Sequence, residues 1–487
     1  MLALQALVIF VCVFGAALAV SRFIVWLQSK KLRVDDMRQM TGTQYLLTLL
    51  GVSLLAGAWV FAICLWQSSL SLTQALQTAV ATMTHTNWQP WSPEKTFSPL
   101  TLAIGILPAN ILIGAVCISA WRALVMAFAR QPLGNAWAGL WRGLLILMPL
   151  HILLTLILIW EGVPQVNMAL FTAGNLVSGA GAGWFGANFA SKVANPTLVS
   201  DLACLTALIS IPLGFCYATG KLISRSKLLE RLSLCVVLLM AIFTAVSLVS
   251  TPLPSTWKHW AMSEALWVNA TAGSANGTLN APIEHFSPAG RLPPFLTLLS
   301  GLPLPPAIGI GVGILLMHLL IATYIASLMV GRSPTFLGFK VRLGEVFSVA
   351  TGVLGPQLVV LAGTAAVLMS PIALEFLKAH GTQGASALLW MLGSAGQNNG
   401  SAYALSLTQP VFVHTGIVLM LLGRVLTLGA VVIFASHISQ QRTEPPVTPS
   451  VNEQGPLILS FWICVMLVGA ALSMLPLIML GPLLDVL

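Results

Sequence analysis

The chain has 487 residues, of which 57% are hydrophobic and only 7% charged, and its mean hydropathy is +0.91; soluble domains carry roughly a quarter charged residues, so that class is excluded. The net charge of +9 does not point to nucleic acid, because the basic residues sit in short loops between apolar runs. Those runs are about 18 residues or longer, enough to cross roughly 30 Å of hydrocarbon as helices, and no alternating pattern of a β-barrel is present.

In chain order the apolar runs predict ten spans, at 3–27, 44–67, 99–121, 137–160, 197–219, 232–251, 305–330, 346–371, 411–436 and 457–481. The first lacks a basic n-region and an A-x-A site before its charges, so it reads as a retained span and not as a signal peptide. The seven cysteines lie inside apolar segments without C-x-x-C or Cys/His spacing and read as small buried hydrophobes. Ten spans put both termini on one side. Of the 22 basic residues, one set of loops and span ends holds 17: Arg22, Lys30, Lys31, Arg33, Arg38, Arg122, Arg130, Arg142, Lys221, Arg225, Lys227, Arg231, Arg332, Lys340, Arg342, Arg424 and Arg442. The other side holds Lys95, Lys192, Lys258, Arg291 and Lys378. The positive-inside rule makes the richer side cytoplasmic and turns both termini outward.

Four outward loops carry a semi-apolar segment of about 10–14 residues ending in small polar ones, too short to span. They are "LTQALQTAVATMTHTNWQ" (72–89), "VNMALFTAGNLVSGAGAGWFG" (166–186), "MSEALWVNATAGSANGTLNA" (262–281) and "GASALLWMLGSAGQNNGSA" (384–402). The expected fold is an all-α polytopic membrane protein with four span–pore-helix–loop–span repeats around a pseudo-fourfold pore. The divisions are 1–43 (extra span and cytoplasmic loop), 44–128, 129–220, 221–342 and 343–436 (the repeats), and 437–487 (cytoplasmic linker and last span). Irregular backbone at membrane depth is tolerated only where protein buries it or it lines a watery cavity. Any one of these loops, taken alone, also reads as an ordinary extracellular loop; four in phase favour the pore.

A bare alkali cation entering a membrane needs its water replaced by oxygens, and rings of backbone carbonyls supply them. Glycine lets such carbonyls turn inward, which suits loops rich in Gly, Ala, Ser, Thr and Asn and free of carboxylates. The C-terminal ends of the preceding short helices add a mild attraction for cations.

"THTNWQ" (84–89), "LGNAW" (133–137), "ANPT" (194–197), "LMVGRSPTFLGFKV" (328–341) and "QNNGSAYA" (397–404) are similar, in order and spacing, to motifs of the KdpA family. That family comprises potassium-binding subunits of a bacterial potassium-uptake ATPase. The resemblance implies filter strands at Thr84, His85, Thr86 and Asn87 with Gln89; at Ser178, Gly179, Ala180, Gly181, Ala182 and Gly183; at Thr271, Gly273, Ser274, Asn276 and Gly277; and at Ser394, Ala395, Gly396, Gln397, Asn398, Asn399 and Gly400. It implies potassium as the transported ion, whose carbonyl ligands these strands supply, and partners that are a KdpB-like P-type ATPase subunit with KdpC-like and small KdpF-like subunits. The site would lie in a bacterial inner membrane. His85 stands where the family has asparagine, and "SGAGAGWFGAN" (178–188) replaces a stretch resembling "GTNGGGFFNAN", so the second loop departs furthest. Two other readings stay open: a stand-alone Trk/Ktr-like potassium channel or carrier, and a degenerate, non-conducting structural or regulatory subunit.

Arg424 lies well within a span, where charge is costly enough to mark ion pathways; it is expected below the filter, steering ions sideways. Snorkelling to the inner interface is the competing placement. Asp201 and Glu161 are expected near the outer face, where carboxylates draw cations. His151, His318 and His414 have no partner at metal-ligand spacing and read as packing histidines. "GAGWFG" (181–186) matches a dinucleotide motif in letters alone, and no P-loop or Asp-Lys-Thr-Gly motif is present, so the chain cannot itself hydrolyse ATP. The sequons at Asn269, Asn276 and Asn399 fall in or beside the proposed filter loops. Residues 436–455 read as a flexible linker, and 331–342, with Phe336, Leu337 and Phe339, as a candidate docking surface.

Overall fold

The computed structural model describes residues 2–67, 70–251, 261–403 and 407–479. Lys258, Ala404 and the end of the last expected span lie outside these described residues. The ten expected spans are all helices long and apolar enough to cross a membrane. The chain is an all-α polytopic membrane protein, and the β-structure among its described residues is a two-stranded hairpin, β1 (Thr335–Phe336) and β2 (Phe339–Lys340).

The first span is α1 (Leu2–Ser29). A first unit follows: α2 (Gly42–Gln67), the short α3 (Leu72–Met83), a surface turn α4 (Pro93–Thr96) and α5 (Leu107–Phe128), which a wider turn at Thr101–Ile106 extends. The second unit is α6 (Ala136–Trp160), α7 (Val166–Ser178) and α8 (Leu198–Leu222). The third is α9 (Ser226–Val249), α10 (Ala261–Ser274), α11 (Pro288–Ser300) and α12 (Ile310–Met329), and the fourth α13 (Leu343–Leu368), α14 (Pro371–Gly396) and α15 (Pro410–Gln440). The last span, α16 (Pro456–Ile478), packs on α11 and α12, while α1 packs on α8.

Local chemistry sets the ends of the short helices. Ser71 caps α3 by accepting from the Gln74 amide while the Gln74 side chain accepts from the Ser71 amide, a reciprocal capping box. Small residues let the spans approach: Gly143 faces the Ala115 backbone, and Gly139 sits under Ser119 and Tyr45, whose hydroxyl meets the Ser119 carbonyl at 2.8 Å. Large apolar side chains such as Leu54, Leu55, Leu156 and Leu358 instead point outward, as a lipid-facing surface requires.

The seventh span differs from the expected 305–330. Its helix begins only at Ile310, because Pro303, Pro305 and Pro306 lack the amide hydrogens a helix needs and Gly301 and Gly309 have φ of +61° and +69°. The segment 301–309 therefore breaks a path that starts with α11. In the fourth unit α14 is bent at Gly381, whose φ and ψ are +57° and −139°, so an outer piece precedes the short pore helix.

Two loop expectations are corrected. Phe336, Leu337 and Phe339 are buried and form no exposed docking surface: Phe128 and Phe434 meet edge to face, Phe128 also touches both hairpin phenylalanines, and the Arg130 guanidinium lies 4.4 Å from the Phe339 ring. Nor is 436–455 a loose linker. Helix α15 runs on to Gln440, Val447 donates its amide to Gly338, Ser450 bonds Ser327 and Thr335, and Glu453 accepts from the Leu337 amide. Hydrogen bonds to the hairpin and to α12 fix the tail, which polar composition alone does not reveal.

At the same end, Arg142 is buried and bonds Asp35 at 2.5 Å together with the carbonyls of Leu27 and Lys30, while Arg122 reaches Asp35 at 3.2 Å. Burial raises the Asp35 carboxyl, but the Arg142 hydrogen bond, the Leu32 amide and the two guanidinium charges outweigh it and hold the group below its ordinary range.

Candidate functional site

Three of the four short helices end in the same backbone manoeuvre. The amide of Thr86 reaches back to the Ala81 carbonyl, that of Ala180 to Asn175 and that of Asn399 to Ser394, all at 2.8–2.9 Å. This six-to-one closure requires a left-handed residue just before the bonded amide. His85, Gly179 and Asn398 take that place with φ of +60°, +83° and +53°, and Ala275 is their counterpart in the third loop at +50°. Two residues later the backbone turns left-handed again, at Asn87 (+52°), Gly181 (+68°), Gly277 (+79°) and Gly400 (+97°). Amides are thus spent on the helix ends while successive carbonyls are carried round to one side. His85 and Ala275 adopt this conformation at a cost of about 1 kcal/mol each, since their Cβ crowds the following carbonyl.

The loops touch in cyclic order. A Cβ added at Gly181 would fall on the Asn276 carbonyl oxygen, one at Gly277 on that of Asn399, and one at Gly400 on that of Thr86. Asn87, the equivalent residue in the first loop, donates its Nδ2 to the Ala180 carbonyl at 2.8 Å. The carbonyls of Thr86, Ala180, Asn276 and Asn399 therefore sit at corresponding places around one axis.

A cavity lies on either side of this ring. The outer one, about 270 Å³, is lined by Asn87, Gln89, Gly181, Ala182, Gly183, Gly277, Glu284, Gly400 and Tyr403 among others. The inner one, about 80 Å³, is lined by His85, Ser178, Gly179, Gly273, Ser274, Ala275, Gln397, Asn398, Arg424 and part of the 301–309 break. The break reaches the loops directly: Leu304 abuts Gly273, Gly309 the Cys117 carbonyl, and Gly301 the Gln397 side chain.

Most of the residues expected from the sequence are brought together here. Thr84 caps α3 and its hydroxyl bonds the Val80 carbonyl and Thr86 Oγ1. Thr271, Gly273 and Ser274 lie in the last turn of α10, and Ser394, Ala395 and Gly396 in the last turn of α14, so the irregular backbone starts later than the expected strands, at Ala275 and Gln397. Ala275, inside the third expected strand though not singled out in it, takes the left-handed place and lines the inner cavity. Asn276 and Asn399 brace their loops alike, each donating Nδ2 to a carbonyl of the preceding pore helix, Leu176 at 3.1 Å and Thr271 at 2.7 Å, and accepting from Thr278 and Ser401.

Arg424 is buried and faces the inner cavity, where its Nη2 donates to Cys117 Sγ at 2.7 Å; among the described residues no ion pair involves it. His318 lines the same cavity and bonds the Ile314 carbonyl, and His151 bonds that of Leu170. Asp201 and Glu161 do not line the outer cavity: Asp201 accepts from Asn195, Asn280 and Ser263, and Glu161 from Thr197, because both secure helix ends and loops beside the pore. Lys192 is exposed and lies off the cavity lining. Sequence reasoning missed Glu284, Cys117, and the buried Asn110 and Asn175 behind the first loop, since each stands alone in an apolar or mixed stretch.

Comparison with known proteins places the chain. The family model described as the potassium-transporting ATPase A subunit, KdpA, matches residues 12–179 and 167–487. Proteins named potassium-transporting ATPase potassium-binding subunit are similar along nearly the whole chain. That of Pectobacterium carotovorum subsp. carotovorum is 30% identical over 499 residues, 92% of this chain and 89% of its own; that of Rhodospirillum centenum is 30% identical over 502 residues, 92% and 88%.

Proposed function

This chain belongs to the KdpA family, the potassium-transporting ATPase A subunits, and we propose that it is the subunit that selects potassium from outside and passes it to an ATP-hydrolysing partner. A potassium-binding subunit of a potassium-transporting ATPase, embedded in a membrane by ten helices, is the frame. Within it, the filter is the ring of loops at 84–89, 178–183, 274–278 and 397–401. The observation that carries this reading is the cyclic contact of four loops whose equivalent residues share two left-handed positions. Backbone so constrained presents oxygens at fixed spacing, as removal of a cation's hydration shell requires.

Arg424, beneath the ring with Cys117 as its partner, opposes a straight exit by charge and turns the ion sideways toward a KdpB-like subunit; KdpC-like and KdpF-like subunits complete the assembly. The four units at 44–128, 129–220, 221–342 and 343–436 are its repeats. The basic loops face the cytoplasm of a bacterial cell across its inner membrane, with both termini outside.

The test is potassium-stimulated ATP hydrolysis by the full complex carrying Gly400→Asp. Loss of potassium dependence is expected, since the new side chain meets the Thr86 carbonyl; unaltered dependence removes the fourth loop from the ion site. Potassium flux through the isolated chain in vesicles would instead support a stand-alone channel. With Arg424→Ala, leak through the complex rises; if leak and ion-stimulated hydrolysis are both unchanged, the steering role is dropped.

A further inference from the structure

Three of the four junctions in the ring are closed by glycine against a neighbouring carbonyl, and one is not. At Gly181, Gly277 and Gly400 no Cβ fits, because the carbonyl oxygen of the next loop occupies its place. At the seam between the first and second loops the equivalent residue is Asn87, which has a Cβ and a carboxamide. The Ala180 carbonyl cannot come equally close there; it meets the amide nitrogen of Asn87 at 2.8 Å.

Asn87 is itself held from behind. Its Nδ2 also donates to Asn110 Oδ1 at 3.1 Å, which uses both hydrogens of the amide, and Asn110 in turn donates to Asn175 Oδ1 at 2.8 Å. All three side chains are buried, Asn110 and Asn175 completely. Both amide hydrogens of Asn87 are placed by these buried bonds, which fix its carboxamide at the ring.

We propose that Asn87 is a specificity-determining spacer of the filter, and that Asn110 and Asn175 are the residues that position it. This rests on the filter reading above and goes beyond it, since there only backbone oxygens matter. Two consequences follow from the chemistry. The seam between the first two loops is wider than the other three by the bulk of a side chain. The Ala180 oxygen also shares its negative charge between an amide hydrogen and the cation, so it is a weaker ligand than its three counterparts. Selectivity set by the number and strength of coordinating dipoles depends on both.

The experiment measures ATP hydrolysis by the full complex with potassium or rubidium chloride, for Asn87→Gly, Asn110→Leu and, as a control, Gly277→Ala. Asn87→Gly makes the fourth junction like the others and is expected to shift the potassium concentration for half-maximal activation by about tenfold, and the rubidium-to-potassium ratio by about threefold or more, in excess of any change in maximal rate. Asn110→Leu keeps the filter sequence intact and moves both quantities the same way by a smaller factor, which covers the case in which Asn87→Gly does not assemble. If Gly277→Ala shifts activation but neither asparagine variant alters the half-maximal concentration or the ion ratio, or if only their maximal rates fall, the spacer role is overturned and the filter stands. If Gly277→Ala leaves potassium activation unchanged, the filter reading fails and the inference falls with it.

Discussion

The second and fourth loops occupy equivalent places in one ring and are held there by opposite means. The fourth supplies its own braces: Asn398 bonds Thr86 Oγ1 and the Met420 carbonyl, Asn399 bonds the Thr271 carbonyl and receives Ser401, and the Gly400 amide is taken by Ser394. The second runs Gly179-Ala180-Gly181-Ala182-Gly183, with no side-chain donor or acceptor at all. Its neighbours hold it, Asn87 at the Ala180 carbonyl, Asn188 at the Gly181 carbonyl and Asn276 at the Leu176 carbonyl of the helix before it. The second loop holds its backbone shape without side-chain braces of its own, because glycines stand at its two left-handed positions, Gly179 and Gly181.

That contrast is most sharply broken at Gly181. Gly181→Ala puts a methyl group on the Asn276 oxygen at a φ of +68°, and potassium activation of the complex should weaken by about 100-fold or be lost, read as the concentration for half-maximal ATP hydrolysis. Asn399→Ala removes an internal brace and strands the Thr271 carbonyl and the Ser401 hydroxyl; a shift of about tenfold in the same quantity is expected. Asn188→Ala removes one external brace whose bond is long, at 3.2 Å, and should cost only about threefold. A larger effect at Asn188 than at Asn399 would reverse the distinction between the loops. Ala182→Gly, which restores the family's residue type beside the ring, should stay within about twofold.

Asp35→Ala serves as the contrast outside the ring. It leaves the buried Arg142 without its carboxylate and should lower thermal stability by about 3 kcal/mol near neutral pH while leaving the ion concentration for activation unmoved. The sign with pH follows from a carboxyl held below its ordinary range. Its contribution is present above that range and is lost as the pH falls through the lowered value, so the wild type and Asp35→Ala should converge in stability under acid.

Much of this architecture was readable in the chain. Apolar run length gave all ten spans, and the short segments ending in small polar residues gave the three re-entrant helices α3, α7 and α10 and the inner half of α14. Arg424, the one basic residue deep in a span, does face the cavity beneath the loops. The break at 301–309 is not legible from run length, because its apolar residues continue the run and extend the expected span across its prolines. Phe336, Leu337 and Phe339 looked exposed because the helices and tail that cover them lie far off in sequence. Asn110 was invisible, since one amide in an apolar helix carries no pattern.

By itself the sequence determined how many times the chain crosses the membrane, which segments turn back within it, and which loops can adopt left-handed backbone. These are local properties, set by hydrophobic run length and by glycine and asparagine at helix ends. Only the tertiary structure decided that the loops meet in cyclic order, that Asn398 reaches Thr86 across 312 positions, and that one junction of the ring is spaced by a side chain where three are closed by glycine. Close approach between distant segments leaves no periodicity in either of them, because each contact is made by a single residue whose partner is fixed by how the helices pack.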